Sequence, residues 1–374
     1  MKPKLILLCL IAAMFGTNAA NAQTVSDNDD ARQDTALVPV MMKAVPSPFE
    51  LEYAGTDLKN KVENGDLKEK VKTYSKVYPA AGNDELKIDN SFGEVVVNTW
   101  DRKEFKVEVQ IKVYANAEAD ADKFLNFIQI NDSKTAGLAW FKTVIGENGS
   151  LSPELWKGED KKHIKKIEIN YVVYMPAKNV LSINNKYGNT TLPDLQGKVT
   201  IHSFYGSLKA KSLLNPLCEI KVRFGDVNIG TLTGGNLQIT YGSLNLAESD
   251  KLNADISYGP AKIGTLRTSG NIKVKYCGKL QIADLDKNLK MLDITSSYSS
   301  VKVGINNNEN ANFDISTYYG SFNYDGTHAS ISNKTPGTDT HGFTAQKSYT
   351  GQLGKGNADK TITIRSNFGR VDFN

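Results

Sequence analysis

The chain has 374 residues, a net charge of +4 at pH 7, 40% hydrophobic and 23% charged residues, three cysteines and four histidines. That much apolar content supports a packed core, while so few cysteines argue against a disulfide framework or a cysteine-built zinc cluster. The basic residues are dispersed rather than blocked, so no nucleic-acid partner is expected.

Residues 1–22 read as a secretory signal peptide: Lys2 and Lys4, an apolar run from Leu5 to Phe15, then Ala20 and Ala22 before the expected cleavage. The run is too short to span a bilayer and no second long run follows, so no transmembrane segment is expected in the mature chain. Bulky Leu8 precedes Cys9 where a lipoprotein signal carries a small residue, which argues against a lipid anchor. The exported protein is expected in the periplasm or at the cell surface. Residues 23–66, polar and proline-punctuated without a period, predict a flexible leader.

From 67 to 180 the pattern predicts N-terminal strands with a capping helix over 117–128. "GEVVVNTW" and "FKVEVQIKVYA" alternate as strands do, and Glu118 to Ile128 places Phe124, Leu125 and Ile128 on one helical face. "EADAD" lacks the glycine and distal glutamate of a calcium loop, so neither metal nor cofactor is expected there or elsewhere.

The chain, above all over residues 181–374 where the β-solenoid repeats are expected, returns again and again to an aromatic followed by glycine. The pairs are Phe92 and Gly93, Tyr187 and Gly188, Tyr205 and Gly206, Phe224 and Gly225, Tyr241 and Gly242, Tyr258 and Gly259, Tyr319 and Gly320, and Phe368 and Gly369. Tyr276 is split from Gly278 by Cys277, and Tyr298 has no glycine. Four residues before each aromatic stands Ile or Leu, with Ala254 the exception, and apolar residues resume in phase after the glycine. A leucine recurs eight residues past the aromatic as Leu195, Leu213, Leu232 and Leu266.

Alternation on both sides of a corner, repeated about every twenty residues, predicts an all-β fold: a single-stranded, parallel β-helix-like β-solenoid with coils of about 17–22 residues. At each corner the glycine is expected to take positive φ and admit the neighbouring coil's backbone, while the aromatics stack in a column. A glycine-rich phosphate loop is the alternative, but such a loop feeds a helix and here strands feed strands. The extra Cys277 predicts a bulge; a reactive thiol is the competing reading, and no adjacent base supports it.

Outward positions form mixed polar rows, read as a soluble face or as a glycan or peptide site, with Phe204, Arg223 and Tyr318 the candidate contact residues. His163, His202, His328 and His341 match no metal or nucleophile spacing, and no catalytic residue is assigned. Two functions stay open. One is a noncatalytic interaction protein whose partner is an envelope glycan or protein. The other is a carbohydrate-active solenoid enzyme acting on an envelope polysaccharide, its cleft walled by residues 306–312 or about 325–360.

"LKIDNSFGEVVVNTWDRKEFKVEV", the helix at 118 to 128, "YVVYMPAKNVLSINNKYGNTTLPDLQGKV" and the Tyr-Gly coils resemble a family of exported, adhesin-like bacterial proteins with β-strand repeats, a domain of unknown function common in Bacteroidetes. The likeness spans about residues 70 to 374. It implies the solenoid fold and carries over no catalytic residues.

Overall fold

Alternating apolar residues bury one face of a strand, and the strands here gain their partners from equivalent positions one repeat away. This computed structural model describes residues 55–146, 164–306, 308–337, 344–355 and 358–374. The expected signal peptide, the expected leader up to residue 54, His163 and His341 lie outside them. The fold is all-β, and the 22 described strands are hydrogen-bonded into one open sheet.

Parallel register carries the repeats. Ile183 pairs with Ile201, Ile201 with Ile220, Ile220 with Leu237, Leu237 with Ala254, Ala254 with Ile272 and Ile272 with Ile294. All are buried, as are Leu208, Val227, Leu244 and Ala261 past the corner and Leu195, Leu213, Leu232 and Leu266 beyond. The apolar phase read from the sequence is therefore the inward phase. Each repeat forms one level of the stack, identified by its aromatic.

The levels do not stack in chain order at the C-terminal end. Met291–Val303 pairs with Thr361–Asn367, which pairs in turn with Ala311–Tyr318, so the last repeat lies between the two before it. Lys360 enters this level buried, ion-paired with buried Glu309 and donating to the Asp286 carbonyl at 3.0 Å. Gln346–Leu353 then runs antiparallel to Ala311–Tyr318, and Ala329–Thr335 antiparallel to it, extending the sheet. Two strands, Ala329–Thr335 and Gln346–Leu353, thus lie within the segment about 325–360 that is expected to wall a cleft.

At the other end the Phe92 level sits directly beside the Tyr187 level, Glu85–Ser91 pairing with Val180–Lys186 across the expected boundary at residue 180. Lys68–Pro79, Glu104–Ala115 and Ile164–Met175 form an antiparallel extension. The predicted helix runs Glu118–Asn126 and buries Ala121, Phe124 and Leu125 over that extension. Ile128, expected as its last residue, instead starts a strand, Ile128–Thr135, paired with Leu138–Ile145.

The leader was expected to be without structure up to residue 66, yet Gly55–Glu63 is a helix. Leu58 and Val62, one turn apart, pack on Leu67 and Tyr114, and Lys59 pairs with Glu63 at 3.6 Å. Two apolar residues in nine are a faint signal in sequence, and it is the tertiary contact with Tyr114 that holds the turn.

Candidate functional site

The corner is the most regular feature of the molecule, and its backbone differs from expectation. Positive φ falls on the aromatic at every level, from 49° at Tyr319 to 67° at Phe92. Among the expected corner glycines only Gly278 shares it, at 65°. Glycine serves instead through its missing Cβ: at Gly242 an added Cβ would lie 1.9 Å from the Gly225 carbonyl oxygen. Holding an L-residue left-handed costs about 1–2 kcal/mol. The interlevel ladder survives it, since Tyr205 N–H donates to the Arg223 carbonyl at 2.9 Å and Tyr241 N–H to that of Ser257 at 3.0 Å.

What the left-handed residue gains is its ring's position. Phe92, Tyr187, Tyr205, Phe224, Tyr241, Tyr258, Tyr276, Tyr298, Phe368 and Tyr319 stack in that order, with centroids 4.5 to 5.4 Å apart and planes within 16° of parallel. A stacked pair contributes about 0.5–1.5 kcal/mol beyond area burial, the same size as the backbone strain. Stacking therefore roughly offsets the left-handed corners. The column grows more exposed toward its C-terminal end, where Tyr298 and Tyr319 are each 49% exposed against 7% for Phe92.

Cys277 forms the predicted bulge, the register shifting between Lys275 and Gly278. Its Sγ is buried and donates to the Ile256 carbonyl at 3.0 Å, and burial pushes the thiol pKa up, as it does for Cys218. Both features disfavour thiolate chemistry. The bulge also explains Tyr298: Ser299, standing where glycine stands elsewhere, accepts a hydrogen bond from Cys277 N–H at 2.8 Å.

Inside the corner lies a set of residues that the sequence reading passed over. Two positions before the aromatic, in the inward phase, Asn90, Asn185, Ser203 and Ser296 are buried. Asn185 Nδ2 donates to the Gly188 carbonyl at 2.8 Å, Ser203 Oγ to that of Gly206 at 2.8 Å and Ser296 Oγ to that of Ser299 at 2.8 Å. They satisfy carbonyls that the turn removes from the ladder. The signal was present in "NNKYG" and "HSFYG", where a polar residue occupies an apolar phase.

Of the candidate contact residues, Phe204 and Arg223 are adjacent in register. Phe204 is half-buried, its ring edge-on to Tyr205 at 4.4 Å and Phe224 at 5.6 Å, whereas Arg223 is exposed. Tyr318 is exposed in the same outward row but seven levels on from Phe204, roughly 34 Å at the usual strand spacing. The three thus share a row and not a pocket. His202 is exposed in the neighbouring row, and His328 Nδ1 lies 3.2 Å from Asp325 Oδ2.

A groove of about 520 Å³ runs along a different edge, past Cys218, Gly235, Asn236, Asn253 and Asn271, with Leu217 and Met291 on its walls. Asn253 Nδ2 donates to Asn236 Oδ1 at 2.6 Å, one rung of an amide ladder along it. In the irregular C-terminal segments Glu309 is ion-paired with Lys360, and Asp325 accepts from the Thr327 N–H and hydroxyl, which holds its carboxyl below the ordinary range. Each of these two carboxylates thus has a structural partner. No described helix is long and apolar enough to cross a membrane.

No family model and no curated protein matches the chain. Among solved structures it is similar to a candidate cell adhesion protein from Clostridium sporogenes, at 11% identity and TM-score 0.19, over 81% of this chain and 99% of that one. It is also similar to candidate adhesins from Bacteroides fragilis (12% identity, TM-score 0.30, 81% and 97% covered) and Parabacteroides merdae (11% identity, TM-score 0.30, 81% and 96% covered).

Proposed function

We propose that the protein is an exported β-solenoid that acts by binding, without turning over a substrate, in the periplasm or at the cell surface. The observation that carries this reading is the row of side chains one residue before each ring. From Lys186 through Phe204, Arg223, Thr240, Ser257 and Lys275 to Ser297, Asn367 and Tyr318, it continues in parallel register beside the aromatic column. A rigid row of equivalent positions presents many weak contacts at a constant spacing, and such contacts add through multivalency when the partner is itself extended. That suits an envelope polymer or an elongated envelope protein.

The test is retention of the purified mature chain on envelope extract, with a glycan array in parallel. Arg223→Ala combined with Tyr318→Ala is expected to lower retention while leaving the melting curve nearly unchanged. Hydrolysis or elimination of an envelope polysaccharide, abolished by changing one carboxylate, would replace the binding reading with the enzyme.

A further inference from the structure

We propose that the C-terminal half of the corner, from Tyr258 to Tyr319, binds a linear polysaccharide bearing carboxylates; this rests on the binding reading above and names its ligand class. The first ground is the geometry of the rings. Stacked face to face, they cover their electron-rich faces with one another and leave outward only their rims, which carry positive partial charge, and the tyrosine hydroxyls, which donate. A rim of this kind complements an anion. It offers no face for a base to stack on, the contact by which single-stranded nucleic acid is held.

The second ground is charge. Lys273 and Lys275 flank Tyr276 on one side and Lys279 on the other, and Arg365 lies in the Lys273 row two levels on. All four are exposed. Some cations of the molecule are ion-paired, Lys221 with Glu219, Arg267 with Glu248 and Arg370 with Asp372; among the described residues no ion pair involves these four, which differ from other unpaired lysines in lying beside the rings. Lys275 Nζ instead lies 5.4 Å from the Tyr276 ring centroid. The row next to the rings holds no carboxylate at any level. The nearest acids are Asp255, in register with Lys273, Asp293 and Asp314, one row further from the corner, and Asp372, already engaged by Arg370 and by Asn323 Nδ2 at 3.0 Å.

The third ground is exposure and length. Tyr258, Tyr298, Phe368 and Tyr319 are 39 to 49% exposed, so the rims are reachable. Five successive rings span roughly 19 Å at the strand spacing, long enough for several sugar residues in a row.

The probes are polygalacturonate, its methyl ester and a single-stranded DNA oligonucleotide, titrated against the mature chain. Polygalacturonate is expected to bind, more weakly as salt rises, and the neutral ester not to bind. The triple variant Lys275→Gln, Lys279→Gln, Arg365→Gln is expected to bind about tenfold more weakly, a factor that corresponds to about 0.5 kcal/mol from each of the three rim charges. Lys103→Gln, exposed just before Glu104–Ala115 in the antiparallel extension and outside the row, is expected to bind as the parent does. Equal binding of the ester, salt-independent affinity, an unaffected triple variant or tighter binding of DNA each overturns the proposal. If the triple variant melts early, the salt series and the ester decide alone. Retention on envelope extract is followed in parallel: a parent retained there but indifferent to polygalacturonate sinks the ligand class and keeps the binding reading, and a parent retained on neither sinks both.

Discussion

Phe368 stacks on Tyr298, ring centroids 4.7 Å apart and planes 5° from parallel, although the Tyr319 level lies between them in sequence. The C-terminal repeat has entered the gap between two levels made earlier in the chain, and Tyr319 closes on the far face of Phe368 at 5.2 Å.

The buried Lys360 and Glu309 pair stands at the entrance to that level. Removing one partner of a buried ion pair leaves an uncompensated charge and costs about 3–5 kcal/mol, whereas replacing both is far milder. Lys360→Met is therefore expected to lower stability by that amount, and adding Glu309→Gln to recover most of it. Chemical denaturation of the two variants checks this; equal losses would mean that the pair does not hold the inserted level.

The left-handed aromatics make an unusual ordering. Tyr241 has φ 59°, so Tyr241→Ala loses the ring and keeps the strain, while Tyr241→Gly loses the ring and relieves it. The glycine variant is expected to be more stable than the alanine variant by about 1 kcal/mol, the reverse of what most strand positions show. Thermal melts of both variants read it directly.

At Gly242 even one carbon is too many. With the Gly225 carbonyl oxygen 1.9 Å from the Cβ position, Gly242→Ala must push two levels apart, at a cost of about 3 kcal/mol or more. Ser243→Ala forfeits only exposed hydroxyl contact with Asp226 at 2.7 Å and is expected to cost about 1 kcal/mol or less. Comparable losses at the two positions would contradict the close approach.

Asp84 supplies a pH signature. The Lys134 ammonium, and after it the Ala81 N–H at 3.0 Å, hold its carboxyl below the ordinary carboxylate range. A carboxyl depressed by folding stabilises the folded state above the unfolded value of about 3.9, and that contribution is lost as pH falls through the folded value. Asp84→Asn is expected to lower the melting temperature at neutral pH, with the gap to the parent closing below about pH 4. A gap constant across melts from about pH 2 to 7 would show that the carboxylate charge contributes nothing.

Periodicity is a local property, and what it governs was legible in the sequence. Ile88, Ile183, Ile201 and their equivalents are buried because alternation alone sets which face of a strand is apolar, and the recurrence of the aromatic placed the corners. The sequence also showed the Cys277 bulge, since its insertion shifts the phase by one. Three features were decided only by the tertiary structure. The left-handed backbone sits on the aromatic, not on glycine, because stacking between levels, which no single repeat contains, offsets the strain. Asn185 and Ser203 occupy an apolar phase because the turn leaves carbonyls in the interior. The order of the last levels reverses because similar repeats can stack in more than one order at similar local energy, and the choice falls to nonlocal contacts such as that of Lys360 with Glu309.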